Sequence, residues 1–211
     1  MSDIVWVSGA IMDPSLILKL DADIVLKDES RAIKAYWAIQ AGEPLDEGWF
    51  PREVWADNEA GVIRALPDLF CVNGYWVVSK PCADVLLQFE MGRGALYPVK
   101  IFQHDRTTPV EGEFFSLSFG NQKTALVKGQ SPKLRDANLG DNSWLLPFVL
   151  KDGDLTVTPQ ALDGPDLWID TGVRRAIFGS DRLAKALKAA GLATAFRFKA
   201  CRIGNAQAEV S

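Results

Sequence analysis

Two stretches decide the fold: Pro67-Asp68-Leu69-Phe70, running on to Val77-Val78-Ser79-Lys80-Pro81-Cys82, and Pro165-Asp166-Leu167-Trp168, running on to Ile177-Phe178-Gly179-Ser180-Asp181-Arg182-Leu183. Each reads Pro-Asp-Leu-aromatic, a short run, a serine, and then apolar residues three, six, seven and ten positions after that serine. These are Cys82, Val85, Leu86 and Phe89 in one copy, and Leu183, Ala186, Leu187 and Ala190 in the other. That spacing is one face of an α-helix. Ser79 and Ser180 stand where a side-chain oxygen accepts from the free N–H groups of a helix start, which contributes about 1 kcal/mol relative to alanine. Asp181 adds a negative charge at the positive helix end. A strand-like segment follows each helix, at residues 96–102 and 195–203. The unit is therefore a strand, a serine-capped helix and a strand, repeated over residues 67–102 and 165–203.

Working outward, residues 4–7 read as a strand. Asp28 or Ser30 can cap a helix with Ile33, Tyr36, Trp37 and Ala41 as its apolar face, ended by Gly42. Phe114, Phe115, Leu117 and Phe119 mark a central strand, residues 125–127 and 155–158 mark short ones, and Lys151-Asp152-Gly153-Asp154 looks like a hairpin turn. The irregular connections do not suit a repeated βαβ winding. The expected fold class is α+β, with a mixed, mostly antiparallel sheet carrying the duplicated unit. Residues 1–64 are expected to be a variable segment packed on a main domain of residues 65–211.

The chain has 211 residues, 48% of them hydrophobic, enough for a proper core. Three unpaired cysteines argue for a reducing compartment, and no apolar run reaches the roughly 18 residues of a membrane span. A cytoplasmic protein with no membrane partner is expected. The net charge of −4 is unevenly distributed. Residues 1–170 hold 15 basic and 25 acidic side chains, a balance of −10, while residues 171–211 hold eight and two, a balance of +6. The acidic bulk repels phosphate, so nucleic acid is not an expected partner, whereas a basic protein surface is.

Catalytic signatures are missing. His104 is the only histidine, so any Ser-His-Asp or Cys-His device must use it, and it stands at a strand end without a partner. Cys82 falls on a buried helical face, and Cys71 and Cys201 fall in strand-like segments, too few soft ligands for zinc. Asp163, Asp166 and Asp170 cluster before the second unit, and Glu111 and Glu113 share one side of a strand. No calcium-loop, phosphate-loop, dinucleotide or nucleophile-elbow motif accompanies them. No metal, cofactor or catalytic residue is assigned.

The most distinctive surface candidate is residues 43–59. This segment holds six acidic residues against Arg52 alone, together with Trp49, Phe50 and Trp55. Interfaces bury aromatic anchors inside a charged rim, so Asp46, Glu47, Trp49, Phe50, Trp55 and Asp57 are the expected partner-binding residues. Trp6, Trp37, Trp76 and Trp168 lie in periodic segments and are expected in the core.

Taken together, Asp166-Leu167-Trp168, Ile177-Phe178-Gly179-Ser180-Asp181-Arg182-Leu183, Gly191-Leu192 and Phe196-Arg197-Phe198 resemble a block of the predicted immunity proteins of bacterial polymorphic toxin systems. Pro67-Asp68-Leu69-Phe70 to Trp76-Val77-Val78-Ser79 is similar to that family's other recurrent block. The likeness covers residues 65–203. It implies a non-enzymatic protein that binds and neutralises a cognate toxin domain in the bacterial cytosol, with no catalytic residues to carry over. The alternatives are a histidine-independent hydrolase built around the three aspartates and an adaptor of a secretion apparatus. Homo-oligomerisation stays open.

Overall fold

A computed structural model describes residues 4–59, 62–138 and 143–205. The fold is α+β, with mixed, mostly antiparallel sheets. In chain order the elements are β1 (Val5–Ser8), β2 (Leu20–Ala22), α1 (Asp23–Lys27), α2 (Glu29–Ala41), β3 (Glu53–Ala56), β4 (Leu69–Val72), β5 (Tyr75–Ser79), α3 (Lys80–Leu86), β6 (Ala95–Phe102), β7 (Phe114–Ser118) and β8 (Gln122–Lys123). Then follow β9 (Arg135–Asp136), β10 (Trp144–Leu145), β11 (Thr156–Val157), β12 (Leu167–Asp170), β13 (Ile177–Ser180), α4 (Asp181–Ala189), α5 (Ala193–Phe196), β14 (Phe198–Ala200) and β15 (Arg202–Ile203). One sheet has six strands in the order β2-β3-β6-β7-β5-β4, and another has five in the order β14-β1-β13-β12-β8.

The duplicated unit is present, with one more strand than its periodicity predicts, and in the second copy the strand expected at 195–203 is replaced by the end of α5 and the short strands β14 and β15. In each copy a hairpin, β4-β5 or β12-β13, precedes the helix. The first hairpin turns on Asn73-Gly74, both at positive φ (49° and 90°), the pair of conformations that a two-residue turn between twisted strands requires. A side chain at residue 74 would meet the Tyr36 ring at 2.2 Å, a second reason for glycine there. Helices α3 and α4 start immediately after Ser79 and Ser180. Both serines adopt φ −70° and ψ 160°, and their side chains accept from the N–H groups of Cys82 and Leu183. Cys82 and Leu183 are both buried, as the apolar spacing predicts.

The two halves correspond further than the sequence shows. The runs β4-β5-β7-β6 and β12-β13-β1-β14 are both antiparallel throughout, and in each a strand from outside the unit lies between the hairpin and the strand that follows the helix. In the first half that strand is β7, which follows β6. In the second it is β1, taken from the N-terminal end of the chain. Beyond each inserted strand the chain crosses to the other half: β8 pairs in parallel with Ile169 of β12, and Ile17 bridges in parallel to Cys71 of β4. Ile169 and Cys71 occupy the same place, three residues after Asp166 and Asp68. The halves are related like circular permutants that exchange a strand with each other.

This arrangement corrects the division at residue 64. The N-terminal third is not laid on a finished domain, because β1 is interior to the five-stranded sheet, with Val5 and Val7 each 1% exposed, and β3 extends the six-stranded sheet by parallel pairing with β6. Asn121 ties the halves together. Its side-chain amide donates to the carbonyls of Met91, Phe119 and Leu167 and accepts from the Arg93 N–H.

One core takes in Phe70, Trp76, Cys82, Leu86, Leu167, Ile169, Leu183, Leu187 and Phe196, and includes consecutive residues of β4 and β5, so that it covers both faces of those strands. A second lies on the far face of the five-stranded sheet around Val5, Val7, Trp168, Phe178, Leu146 and Leu155. Period-two alternation explains why Trp168 faces one core while Leu167 and Ile169 face the other. Helix α2 is capped by Asp28, whose side chain accepts from the Arg31 N–H at 2.9 Å, and ends at Gly42 (φ 76°). Its buried face is Ala32, Ala35, Ile39 and Gln40 rather than Ile33, Tyr36, Trp37 and Ala41. Small residues let the helix approach closely, and Trp37 is left 50% exposed with Tyr36 edge-on to it. Residues 125–127 form no strand, only a bridge from Leu126 to Val157. The 151–154 turn does not join a hairpin but ties to β14, where Ala200 donates to the Asp152 side chain and accepts from the Gly153 N–H.

Candidate functional site

The acidic segment is placed by α2 and β3. After Gly42 ends the helix, the chain makes a short turn at Glu47–Trp49 and enters β3. Asp46, Glu47 and Asp57 are exposed. Trp49 is half-buried, with the Arg31 guanidinium 4.6 Å from its ring centroid. Phe50 and Trp55 are each 3% exposed, which corrects their expected role as surface anchors. Phe50 packs against Tyr75 and Tyr97 at centroid distances of 5.9 and 4.9 Å, and Trp55 lies in β3 beneath the Arg106 guanidinium at 4.0 Å. Asp46 and Glu47 precede β3 while Asp57 follows it, so the six expected residues do not form one patch.

What the structure does bring together is Glu47 with an outward-facing strip of sheet. Strand β6 buries Val99 and Ile101 and turns Pro98 and Lys100 outward, and β7 places half-buried Phe115 opposite Pro98. Pro98, Phe102 and Phe115 are part of the floor of a shallow trough of about 890 Å³. Glu47, Glu53 and Glu113 stand on its rim, with Arg52 and Lys100 among them. Sequence reasoning marked Glu47 but missed Pro98, Lys100 and Phe115. Alternation along residues 97–101 was the available signal, because it turns the even positions away from the core.

The three aspartates do not converge on a reacting centre. Asp163 is exposed. Asp166, 1% exposed, accepts from the Arg182 guanidinium at 2.6 and 2.7 Å, from the Glu90 N–H at 2.8 Å and from the Ser180 hydroxyl. Burial alone would raise its pKa, but these donors together hold it below the ordinary carboxylate value. Asp170 accepts from the N–H groups of Ala125, Leu126 and Gly172, and there burial dominates and raises the pKa. Both carboxylates are committed to holding backbone. Lys123 acts similarly: its Nζ donates to the carbonyls of Ala161 and Pro165 and lies 3.5 Å from the Trp168 ring centroid. Burial pushes that ammonium down to about 8 against the pull of Asp166, Asp163 and Glu90.

His104 is exposed, with Nδ1 3.1 Å from the Ala56 carbonyl oxygen. The three cysteines are buried as free thiols. Glu111 and Glu113 are both exposed. Among the described residues no three His, Cys, Asp or Glu side chains are grouped to hold a metal, and no helix is long and apolar enough to cross a membrane. Comparison with known proteins makes no assignment: no protein-family model matches the chain, and neither does any curated protein.

Proposed function

We propose that this chain is a non-enzymatic immunity protein that binds and neutralises a cognate polymorphic toxin in the bacterial cytosol, and that the toxin docks over the trough on β6 and β7. The observation that supports this reading is the trough itself, an apolar strip of Pro98, Phe102 and Phe115 facing outward inside a rim bearing Glu47, Glu53 and Glu113. An apolar centre within a charged rim is the usual anatomy of a protein interface. The rim carries more acid than base, which suits a basic toxin face and would steer its approach. The buried carboxylates, the hydroxyl of Ser180 and Lys123 are engaged in holding the fold, which favours binding over turnover.

The test is to sequence the genes on either side for a toxin-like domain, co-express that domain with this chain, and measure binding directly with the purified pair. Survival of the host and a stable complex are the expected results. A toxin that kills regardless, with no complex detected, would sink the proposal.

A further inference from the structure

Helix α2 turns large apolar side chains to solvent and small ones to the core. Ile33 and Trp37, one turn apart, are 52% and 50% exposed, while the buried face is built on Ala32, Ala35 and Ile39. Neighbouring exposed apolar side chains of this size mark an interaction surface, where scattered single ones do not. The tips of both hairpins reach the same helix. Gly74 of the first lies against the Tyr36 ring. The second carries Arg175, whose guanidinium carbon is 5.3 Å from the Tyr36 ring centroid, and Arg174, 5.8 Å from that of Trp37. The repeat supplies an internal comparison: Asp68 and Ser79 are 11 positions apart and Asp166 and Ser180 are 14, so the second copy adds three residues that the first hairpin closes without. Arg175 stands in that longer tip at φ 63°, a left-handed conformation that residues with a side chain seldom adopt. Partial burial lowers its pKa, with no carboxylate to oppose the shift. Trp, Tyr and Arg are also the residue types that dominate the energetic centres of interfaces.

We propose that this face of α2, with the tip of the second hairpin, docks an acidic segment of another protein, an apolar side chain seating on Ile33 and Trp37 and a carboxylate meeting Arg175. Charge complementarity selects the partner. Lys34, exposed one turn before Trp37, and Arg175 form no ion pair among the described residues, and the only carboxylate in α2 is Glu29 at its start. Nucleic acid or an anionic membrane fits less well, because affinity for a polyanion grows with the number of phosphates neutralised and this face offers few cations. The acidic balance of residues 1–170 also repels an extended polyanion, while a short segment meets only the local field. None of these residues borders the acidic trough, so the two surfaces stand or fall separately.

The test uses the full chain and a fluorescein-labelled peptide of Glu and Asp residues with central Leu and Phe, read by anisotropy. Binding that weakens with added salt is expected. Arg175→Gly removes the cation and leaves a residue at ease in the left-handed conformation, so affinity should fall about tenfold or more while the thermal midpoint holds or rises. Trp37→Ala, at an exposed position, should weaken binding to a similar degree with the chain still folded. A peptide of the same charge with Ser in place of Leu and Phe, oligothymidylate and phosphatidylserine vesicles should all bind less. Failure of the acidic apolar peptide to bind, undiminished affinity in Trp37→Ala or in a folded Arg175→Gly, or equal binding of any of the three comparison anions would overturn the proposal.

Discussion

Asp68 accepts the Ser79 N–H on its carbonyl oxygen at 3.1 Å and the Ser79 hydroxyl on its carboxylate at 2.6 Å. Asp166 repeats both contacts on Ser180. In each half the aspartate ahead of the hairpin thus orients the serine that caps the helix, so the recurring Asp and Ser form one joint between sheet and helix. Removing the serine should cost more than an isolated cap, because the aspartate then loses a donor. Ser180→Ala is expected to destabilise by about 1–2 kcal/mol, and Asp166→Ala by about 2–4 kcal/mol since it also removes the acceptor of the Arg182 guanidinium and of the Glu90 N–H. Urea unfolding of the variants measures both, and equal small losses would show that the joint is not coupled.

Interior placement of β1 makes the N-terminal end essential to folding. Val7→Asp puts an unpaired carboxylate where the native side chain is 1% exposed, between β13 and β14. A loss of about 3 kcal/mol or more is expected, read as a fall in thermal midpoint. A near-native midpoint would show that residues 1–64 are dispensable packing after all.

Lys123 yields a pH dependence with a definite sign. Its folded pKa is lowered to about 8 from an ordinary value of 10.5, so between these pH values the unfolded chain binds more protons than the folded one. Its contribution to stability therefore rises with pH across that window. Lys123→Met removes that contribution, so the stability difference between native protein and variant should shift in favour of the native protein from pH 8 to 10.5. A difference independent of pH would place the ammonium in solvent.

Burial pushes the Cys71 thiol up to about 11 and the Cys82 thiol to about 12, and raises that of Cys201 as well. The thiolate is the reactive form. At pH 8 the native protein should resist alkylation by iodoacetamide, and all three cysteines should react once urea unfolds the chain. Rapid labelling of the folded protein would contradict the packing of α3 and β4.

For the trough, Asp46→Lys/Glu47→Lys should slow toxin association most strongly at low salt, because exposed charges act on encounter. Phe115→Ala should chiefly speed dissociation, because apolar anchors govern how long a complex lasts. Trp55→Ala and Phe50→Ala should instead unfold the protein, as their rings are core. Unchanged kinetics for the first two substitutions, with folding intact, would place the interface elsewhere.

Helices α3 and α4, their serine caps and the buried positions Cys82, Val85, Leu86, Leu183 and Leu187 were legible in the sequence because a cap and a 3.6-residue period are local properties, whereas Phe89 lies beyond the end of α3 and Ala190, after the end of α4, is exposed. The Asn73-Gly74 turn is equally local, yet the reading of residues 67–79 as a single strand passed over it. Which aromatics are core was not local. Trp37 and Trp55 both stand in stretches rich in apolar residues, yet one is half exposed and the other buried, because burial depends on which face of α2 or β3 meets the opposing elements.

The sequence by itself determined the repeated unit, the α+β class, the lack of a familiar catalytic motif and the split between an acidic bulk and a basic end. Only the tertiary structure decided that β1 completes the second half, that Phe50 and Trp55 are interior, and that Glu47 shares a trough with Pro98 and Phe115. These are pairings between segments tens of residues apart or more. A chain's periodicity specifies which face of a strand is apolar, but strand order is set by the joint burial of many such faces, a property that no single stretch carries.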